Sequence, residues 1–471
     1  MDPSTAPSGQ ARISTAAILM VIAGAALWTV FDLEWCRHLA SGALLVYLAI
    51  EAPRITGGGR RMLLAGLVAA IIAAVAHPAP LVLLSHALDE AAFVAGLFSS
   101  LGMLRDTAQS SALVQRCGEQ MVRQPPSRRF VVLALGSHMI SLVLNFGVLP
   151  LLGTMIVRGN TLEAAGGDTE IQSIRKRRMM SAILQGFALM TVWSPLSIAF
   201  AVTQVVMHGL PWWHLLVVQL ILACLLMTLA WGLDRRAFPP RALRPPPAEG
   251  DDDWKPVLEL GLLVAAVVAG AVTIAAILKV RLVVGAMLVV PPAAVLWMVV
   301  QQPVLRPSSI LSACHGFGLR LTHSLPAFRY EVAMLGGAMF LGTVIAAFVS
   351  PEQTAALIAR LPLPPILLVI LLTWSVMAMA RFGISQIISV TLLGSALGNL
   401  SQAGIHPLVL ASGMMGAWAL SACSTTVGAA VMTVARMAEV PVGEACDWSR
   451  TFVRAGAVLL ALWMILLSVV L

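Results

Sequence analysis

Long apolar stretches alternate with short polar ones from the start of the chain. Most of them approach the roughly 20 residues that a helix needs to cross a bilayer. Ile13–Val30 and His38–Ala52 read as the first two spans, followed by the basic loop Arg54–Arg61 (RITGGGRR). Met62–Leu84 is a third span loosened by Pro78 and Pro80, Asp89 and Glu90 mark a short exterior loop, and a fourth span starts near Ala92 and loses its hydrophobicity at Arg105. Residues 105–122 place apolar side chains at helical spacing on an otherwise polar segment, the pattern of a helix lying along the membrane surface. Further on, Trp213–Leu233 is a span, and Asp234–Asp253, rich in proline and charge, is a cytoplasmic linker. Pro256–Leu278 and Leu282–Val300 form a pair of spans, and Pro303–Phe328 is a surface helix of mixed polarity. Val332–Val349 spans again, residues 350–361 repeat the surface-helix pattern, and Phe452–Leu471 is the last span.

Two apolar segments are interrupted midway. Ala411–Met437 contains Ser421-Ala-Cys-Ser424-Thr425-Thr426, and Ser181–Val206 contains Thr191-Val-Trp-Ser194-Pro195. A shift of 230 residues lays Gly186 on Gly416, Ser194 on Ser424, Ala199 on Ala429 and Thr203 on Thr433. Hydroxyls clustered at membrane depth take over backbone hydrogen bonds where a helix unwinds, or bind a polar ligand there. Pro195 adds a cause for the first break, because it removes a backbone donor and clashes with the preceding turn.

Two other segments read as hairpins. Phe130–Val157 has RQPPSRR before it, and Arg158 and the Arg175–Arg178 cluster after it. Basic residues favour the cytoplasmic side, so both ends are expected there, with a re-entrant turn at Asn145-Phe146-Gly147. One ordinary span is the alternative. A shift of 236 residues lays this hairpin on Pro364–Leu397, with Ser137 on Thr373, Asn145 on Arg381 and Phe146-Gly147 on Phe382-Gly383. The order span, surface helix, hairpin, broken helix thus occurs twice, and counting crossings makes the second copy inverted.

The fold predicted is an all-α polytopic membrane protein with two inverted repeats. Residues 1–90 and 254–328 form scaffold spans, residues 91–233 and 329–471 are the repeats, and residues 234–253 link them. Within the repeats the surface arms are 105–122 and 350–361, the hairpins 130–157 and 364–397, and the broken helices 179–207 and 407–436. The return span 213–233 and the last span 452–471 follow. The N-terminus is expected in the cytoplasm and the C-terminus outside, with a bacterial inner membrane as the setting.

Composition supports the membrane reading: 59% of the 471 residues are hydrophobic and 11% charged, with a mean hydropathy of +0.90. The net charge of +8 sits in short loops, so it reports topology and not a nucleic-acid surface. The six cysteines have no CxxC or metal spacing and read as buried free thiols. The N-terminal residues lack a signal-peptide pattern, so the first span is expected to be retained.

Charge within the proposed core decides between chemistries. No Asp or Glu lies between Glu119 and Glu163, between Glu170 and Asp234, or between Glu352 and Glu439. A sodium–proton antiporter normally uses an intramembrane carboxylate, and a membrane enzyme would need clustered acid–base groups. Neither pattern is present in the hairpins and broken helices. What they do hold is Arg381 at a tip and His138 in the first hairpin. Arg381 either caps the carbonyls of its own turn or acts as a fixed counter-charge for a bound anion, since guanidinium suits carboxylate and oxyanion geometry. The residues expected to line the substrate are Asn145, Gly147, Ser194, Arg381, Gly383, Ser385, Ser424, Thr425 and Thr426. Gly147 and Gly383 are expected to make the tight turns, and the hydroxyls have the alternative of bonding to the preceding helical turn. His138 is either a proton relay or a packing residue. No metal or other cofactor is expected. A sodium site built of carbonyls and hydroxyls would leave no signature.

In element order and in its hairpin and broken-helix patterns, residues 92–206 and 332–471 resemble the ion transporter superfamily, with a layout similar to the divalent anion:sodium symporter family. That resemblance implies a transport domain moving as an elevator against a scaffold that dimerises. It implies a transporter. Arg381 read as a fixed counter-charge makes the expected substrate a small anion, an organic carboxylate or an oxyanion, carried by secondary active transport as an exchanger or linked to protons; sodium symport and, because broken helices also build filters, a passive anion channel are the alternatives. The tips differ from the family's Ser-Asn-Thr. They read Leu144-Asn145-Phe146 and Ala380-Arg381-Phe382, so only Asn145 is kept and Arg381 stands in place of the second asparagine.

Overall fold

Proline, glycine and short hydroxyl side chains mark where the helices of this chain stop. The computed structural model describes residues 8–109, 111–207, 209–238, 254–301, 307–349, 363–397 and 406–471. Among them there is no strand, and ten helical stretches are long and apolar enough to cross a membrane. The chain is an all-α polytopic membrane protein.

Two helix pairs have the same turn. α1 (Gly9–Phe31) and α2 (Glu34–Glu51) meet at Asp32, and α11 (Lys255–Leu278) and α12 (Leu282–Val300) meet at Lys279. Asp32 and Lys279 both take left-handed backbone, φ 54° and 53°, which ends the first helix of each pair. α3 (Gly57–Ala76) and the long α4 (Pro80–Gln109) complete the first block, and α13 (Pro307–Ala327) and α14 (Arg329–Ala347) pack back onto α4.

The expected loop at Asp89 and Glu90 is instead the middle of α4. Both side chains are buried there. Asp89 accepts from Ser41 Oγ at 2.6 Å and lies 3.4 Å from Arg37 Nε, so α2 supplies partners that make its burial tolerable. α4 also runs past Arg105 to Gln109, and a separate α5 (Ala112–Val122) follows, so residues 105–122 are not one helix. The surface helix expected from Pro303 starts at Pro307 among the described residues. The second arm, 350–361, and all but the first few residues of the linker lie outside the described residues. Two cysteines expected inside, Cys224 and Cys314, are exposed, because neither occupies a packed helix face; the other four are buried, and all six are free.

The first hairpin is α6 (Pro126–Leu144), a turn at Asn145–Gly147, and α7 (Val148–Gly159). Its two ends lie together: a Cβ on Gly159 would sit 3.4 Å from Val122 Cγ1, just ahead of α6. Asn160 and Gln172 exchange side-chain-to-backbone hydrogen bonds of 2.9 and 2.8 Å, which ties that same end to the start of α8 (Thr169–Trp193). A straight passage would instead separate Val122 from Gly159 by the summed length of both helices. α6 packs closely along α8, where Ser137 Oγ donates to the Ile183 carbonyl at 2.7 Å and Gly186 admits the Ala134 carbonyl.

α8 stops at Ser194, α9 (Ile198–Val206) resumes it, and α10 (Trp212–Ala237) follows. The second hairpin is α15 (Pro365–Arg381), a turn, and α16 (Gln386–Leu397). Thr373 on one limb and Gly394 on the other flank neighbouring positions, Gly413 and Met414, of α17 (Pro407–Ala422), so this unit also folds back. α17 ends at Cys423, α18 (Ala429–Ala438) continues after the interruption, and α19 (Val442–Trp448) leads to α20 (Arg450–Val470).

Candidate functional site

At the second tip the backbone satisfies itself. Gly383 is left-handed (φ 85°), its N–H donates to Ala380 at 3.1 Å, and the Ile384 N–H donates to Met379 at 3.1 Å. This is the Schellman ending of α15, with glycine at the position where a side chain would be strained. Arg381 is therefore free of its own turn. Its Nη1 reaches across to the Ser424 carbonyl in the second interruption, at 3.1 Å. Thr425 Oγ1 returns a bond to the Ala380 carbonyl at 2.8 Å. Tip and interruption are clasped in both directions.

A guanidinium carries five N–H donors, and the bond to Ser424 uses one of them. Arg381 is exposed, and among the described residues no carboxylate lies within ion-pair distance of it. Phe382, Gly383, Ile384, Thr426 and Val427 are exposed beside it. Ser385 closes the turn, its carbonyl accepting from the Ser389 N–H at 3.1 Å to start α16. Ser424 Oγ reaches back to the Ser421 carbonyl at 3.4 Å, the local alternative for such hydroxyls.

The first tip is closed. It borders a cavity of about 20 Å³ with Phe98 and Arg105 of α4 and Leu196 of the first interruption, room for about one water. Gly147, expected to make this turn, has ordinary backbone (φ −61°). The unusual residue is Asn145, with φ 49° and ψ −126°, the first central position of a type II′ turn. Glycine is favoured there and asparagine is tolerated at a cost. Arg105 was not anticipated as a site residue: its guanidinium carbon sits 5.5 Å from the Phe328 ring, while Phe328 fills the notch left by Gly102. The loss of hydrophobicity at residue 105 was its only trace in the sequence.

Ser194 faces inward. Its N–H donates to Met190 at 3.2 Å and its Oγ accepts from the Leu196 N–H at 3.1 Å, so the hydroxyl is used in the break itself. Ser197, also not anticipated, caps α9 by accepting from the Phe200 N–H at 3.2 Å. His138 Nε2 accepts from Trp193 Nε1 at 2.8 Å within a stacked ring pair, which leaves the neutral ring's proton on Nδ1.

One turn of α8 joins these parts. Phe146 of the first tip packs edge-on against Phe187 with centroids 5.9 Å apart, and Cys423 Sγ of the second interruption lies 3.9 Å from the Leu184 carbonyl. Leu184 and Phe187 are neighbours on one helical face. The structure thus brings the first tip beside the second interruption, the second tip onto that interruption, and the first interruption beside the first tip. It does not bring Ser194 directly onto Ser424; the second interruption meets α8 at Leu184, a stretch before Ser194. Among the described residues no group of His, Cys, Asp and Glu converges as a metal site would.

No family model and no curated protein matches the sequence. Solved structures do. MtrF of Neisseria gonorrhoeae, from a class described as antimetabolite efflux pumps, superposes with a TM-score of 0.51 over 87% of this chain and 94% of its own, at 11% identity. The chain shares the MtrF fold. The YdaH transporter of Alcanivorax borkumensis, whose topology is described as unusual, aligns over 78% of this chain and 84% of its own, with 13% identity and a TM-score of 0.47. The likeness to MtrF is one of fold, and it does not single out the divalent anion:sodium symporter family.

Proposed function

We propose that this protein is a secondary active transporter of a small anion, an organic carboxylate or an oxyanion. The observation that carries the reading is Arg381. A tip arginine whose own turn is already satisfied, and which spends one donor on the Ser424 carbonyl, keeps its outward donors for an anion. The carboxylate-free hairpins and broken helices supply no internal counter-ion. The fold common to an efflux pump supports transport as the process. Asn145, Gly147, Gly383, Ser385, Ser424, Thr425 and Thr426 would surround the substrate, with Ser194 shaping the break that supports them.

A fixed cation favours exchange, because returning empty would leave its charge uncompensated at membrane depth. Proton linkage through His138 is the other coupling consistent with this core. The two tip-and-break units would act as inverted repeats of a transport domain sliding against α1–α4 and α11–α14, in a homodimer of the inner membrane with the N-terminus cytoplasmic and the C-terminus outside.

The test is counterflow in proteoliposomes, preceded by a thermal-shift screen of organic acids and oxyanions with and without sodium. Arg381→Gln should lose the stabilisation and the exchange that the selected anion gives the wild type, and Arg381→Lys should keep part of both. An anion that stabilises Arg381→Gln as well as the wild type rules out the counter-charge. Ohmic current in place of saturable exchange would make the protein a channel.

A further inference from the structure

At the end opposite the hairpin tips, the charged ends of three helices meet in a basic patch. α6 and α8 run side by side the same way: Ser137 Oγ donates to the Ile183 carbonyl midway, a Cβ on Gly186 would lie 3.0 Å from that of Ser137, and His138 meets Trp193 at the far end. Eight residues back from Ser137, Ile183 and Gly186 stand Arg129, Arg175 and Arg178. The three guanidinium groups therefore share one level, near enough for their charges to repel. α10 reaches the same level, where Asp234 binds Arg178 through both carboxylate oxygens, at 2.9 and 2.6 Å. Asp234 thus answers one arginine of the three. Among the described residues no carboxylate lies within ion-pair distance of Arg129 or Arg175, both half-buried. Backbone carbonyls hold them instead: Arg129 Nε donates to Gln124 at 2.7 Å, and Arg175 Nη1 donates to Ala164. A neutral carbonyl fixes the direction of a guanidinium and leaves its charge, and most of its five donors, unanswered.

The patch lies where these helices turn apolar. Arg129 precedes Phe130, Arg178 precedes Met179, and Asp234 follows Leu233, with apolar sequence running inward from each. One turn inward on α10, Trp231 is 38% exposed, and the Arg235 guanidinium carbon sits 4.9 Å from its ring centre. An exposed tryptophan just inside a group of arginines is the layering found at the headgroup level of a bilayer. Two cations set against each other at that level, with no carboxylate to answer them, lack an anion of the kind that the membrane itself carries.

We propose that Arg129 and Arg175 hold the phosphate of an anionic phospholipid whose acyl chains run inward past Trp231. A phosphodiester has two unesterified oxygens, one for each guanidinium, and its charge relieves the repulsion between them. A zwitterionic headgroup would bring an ammonium up against Lys176 and Arg177 as well, and Asp234 is already engaged by Arg178. This site stands even if Arg381 binds nothing.

The experiment is native mass spectrometry and thermal unfolding of the full chain in detergent. The probes are phosphatidylglycerol, phosphatidylethanolamine and water-soluble glycerol 3-phosphate. Phosphatidylglycerol should bind in preference to phosphatidylethanolamine and raise the unfolding midpoint. Arg129→Gln with Arg175→Gln should weaken it by about ten-fold, as loss of charged hydrogen bonds does, and Arg129→Lys with Arg175→Lys should keep part of the binding. The control pair Arg128→Gln with Arg177→Gln removes the same charge from exposed neighbours and should change little. Equal loss in the control pair means diffuse attraction and overturns the site. Equal binding of phosphatidylethanolamine, or undiminished binding in the first glutamine pair, overturns the headgroup assignment. Equal stabilisation by glycerol 3-phosphate makes this a site for a soluble phosphate and overturns the lipid. Glu249, Asp251, Asp252 and Asp253 of the linker lie outside the described residues. If phosphatidylglycerol binds only once these four are changed to their amides, the linker is the occupant and the lipid is again overturned.

Discussion

Thr425 Oγ1 donates to the Ala380 carbonyl at 2.8 Å, so a hydroxyl in the second helix interruption fastens the last turn of α15, the first limb of the preceding hairpin. The same carbonyl accepts from the Gly383 N–H, so deleting the hydroxyl does not orphan it. Thr425→Val, close in shape, should therefore cost only about 1 kcal/mol, the net value of one such bond. Thr425→Ser should cost less. The unfolding midpoint in detergent measures both. If the valine variant is as stable as the wild type, the clasp rests on Arg381 and packing alone.

Asn145 has backbone that suits glycine, and its side chain borders the cavity at the first tip. Asn145→Gly should hold or raise stability, by up to about 1 kcal/mol, by relieving the strain, whereas Asn145→Ala should lower it. If the carboxamide contacts substrate, both variants lose exchange activity, and stability and activity move in opposite directions for glycine. Parallel changes in the two would mean that Asn145 serves the turn only. Thermal unfolding and counterflow on the same preparations separate the cases.

These residues show what was legible beforehand. The two interruptions could be read because proline and clustered hydroxyls act locally on a helix, and Ser194 and Ser424 do stand where helices stop. Gly383 was legible for the same reason, since its φ of 85° requires what glycine permits. Gly147 was misread because the first turn has another shape, and the sequence alone does not reveal which of three adjacent residues takes the strained angle. Asp89 and Arg105 failed differently. Charge in an apolar run suggests a loop at Asp89 and the end of a span at Arg105, and only the fold reveals that Ser41 and Arg37 partner one and the Phe328 ring the other.

Cys446, in the short helix α19, offers a reporter on Arg381 that does not depend on transport. Burial pushes its thiol up from the ordinary range, and the nearby Arg381 cation pulls it down, by favouring the thiolate. Arg381→Gln removes the downward pull, so the thiolate becomes scarcer and the pH profile of thiol labelling moves to higher pH. Arg381→Lys should leave it nearly unchanged. An anion bound at Arg381 in the wild type should shift the profile in the same direction as the glutamine variant. With the exposed Cys224 and Cys314 replaced by serine, maleimide labelling of Cys446 against pH reads the effect. A profile indifferent to residue 381 would place Arg381 too far away to matter.

The buried pair of His138 and Trp193 can be divided into its structural and titrating parts by a double-mutant cycle. Trp193→Phe removes the N–H that His138 Nε2 accepts and leaves that nitrogen buried without its donor, a loss of about 1–3 kcal/mol. His138→Leu removes the other partner, and the double variant should be more stable than the two single losses added, with a coupling of about 0.5–3 kcal/mol. That cycle concerns stability alone. If His138 also carries a proton during exchange, His138→Leu must flatten the pH dependence of counterflow, and adding Trp193→Phe changes nothing further. A pH profile that keeps its shape in His138→Leu while the rate falls with stability restricts His138 to holding α6 against the end of α8.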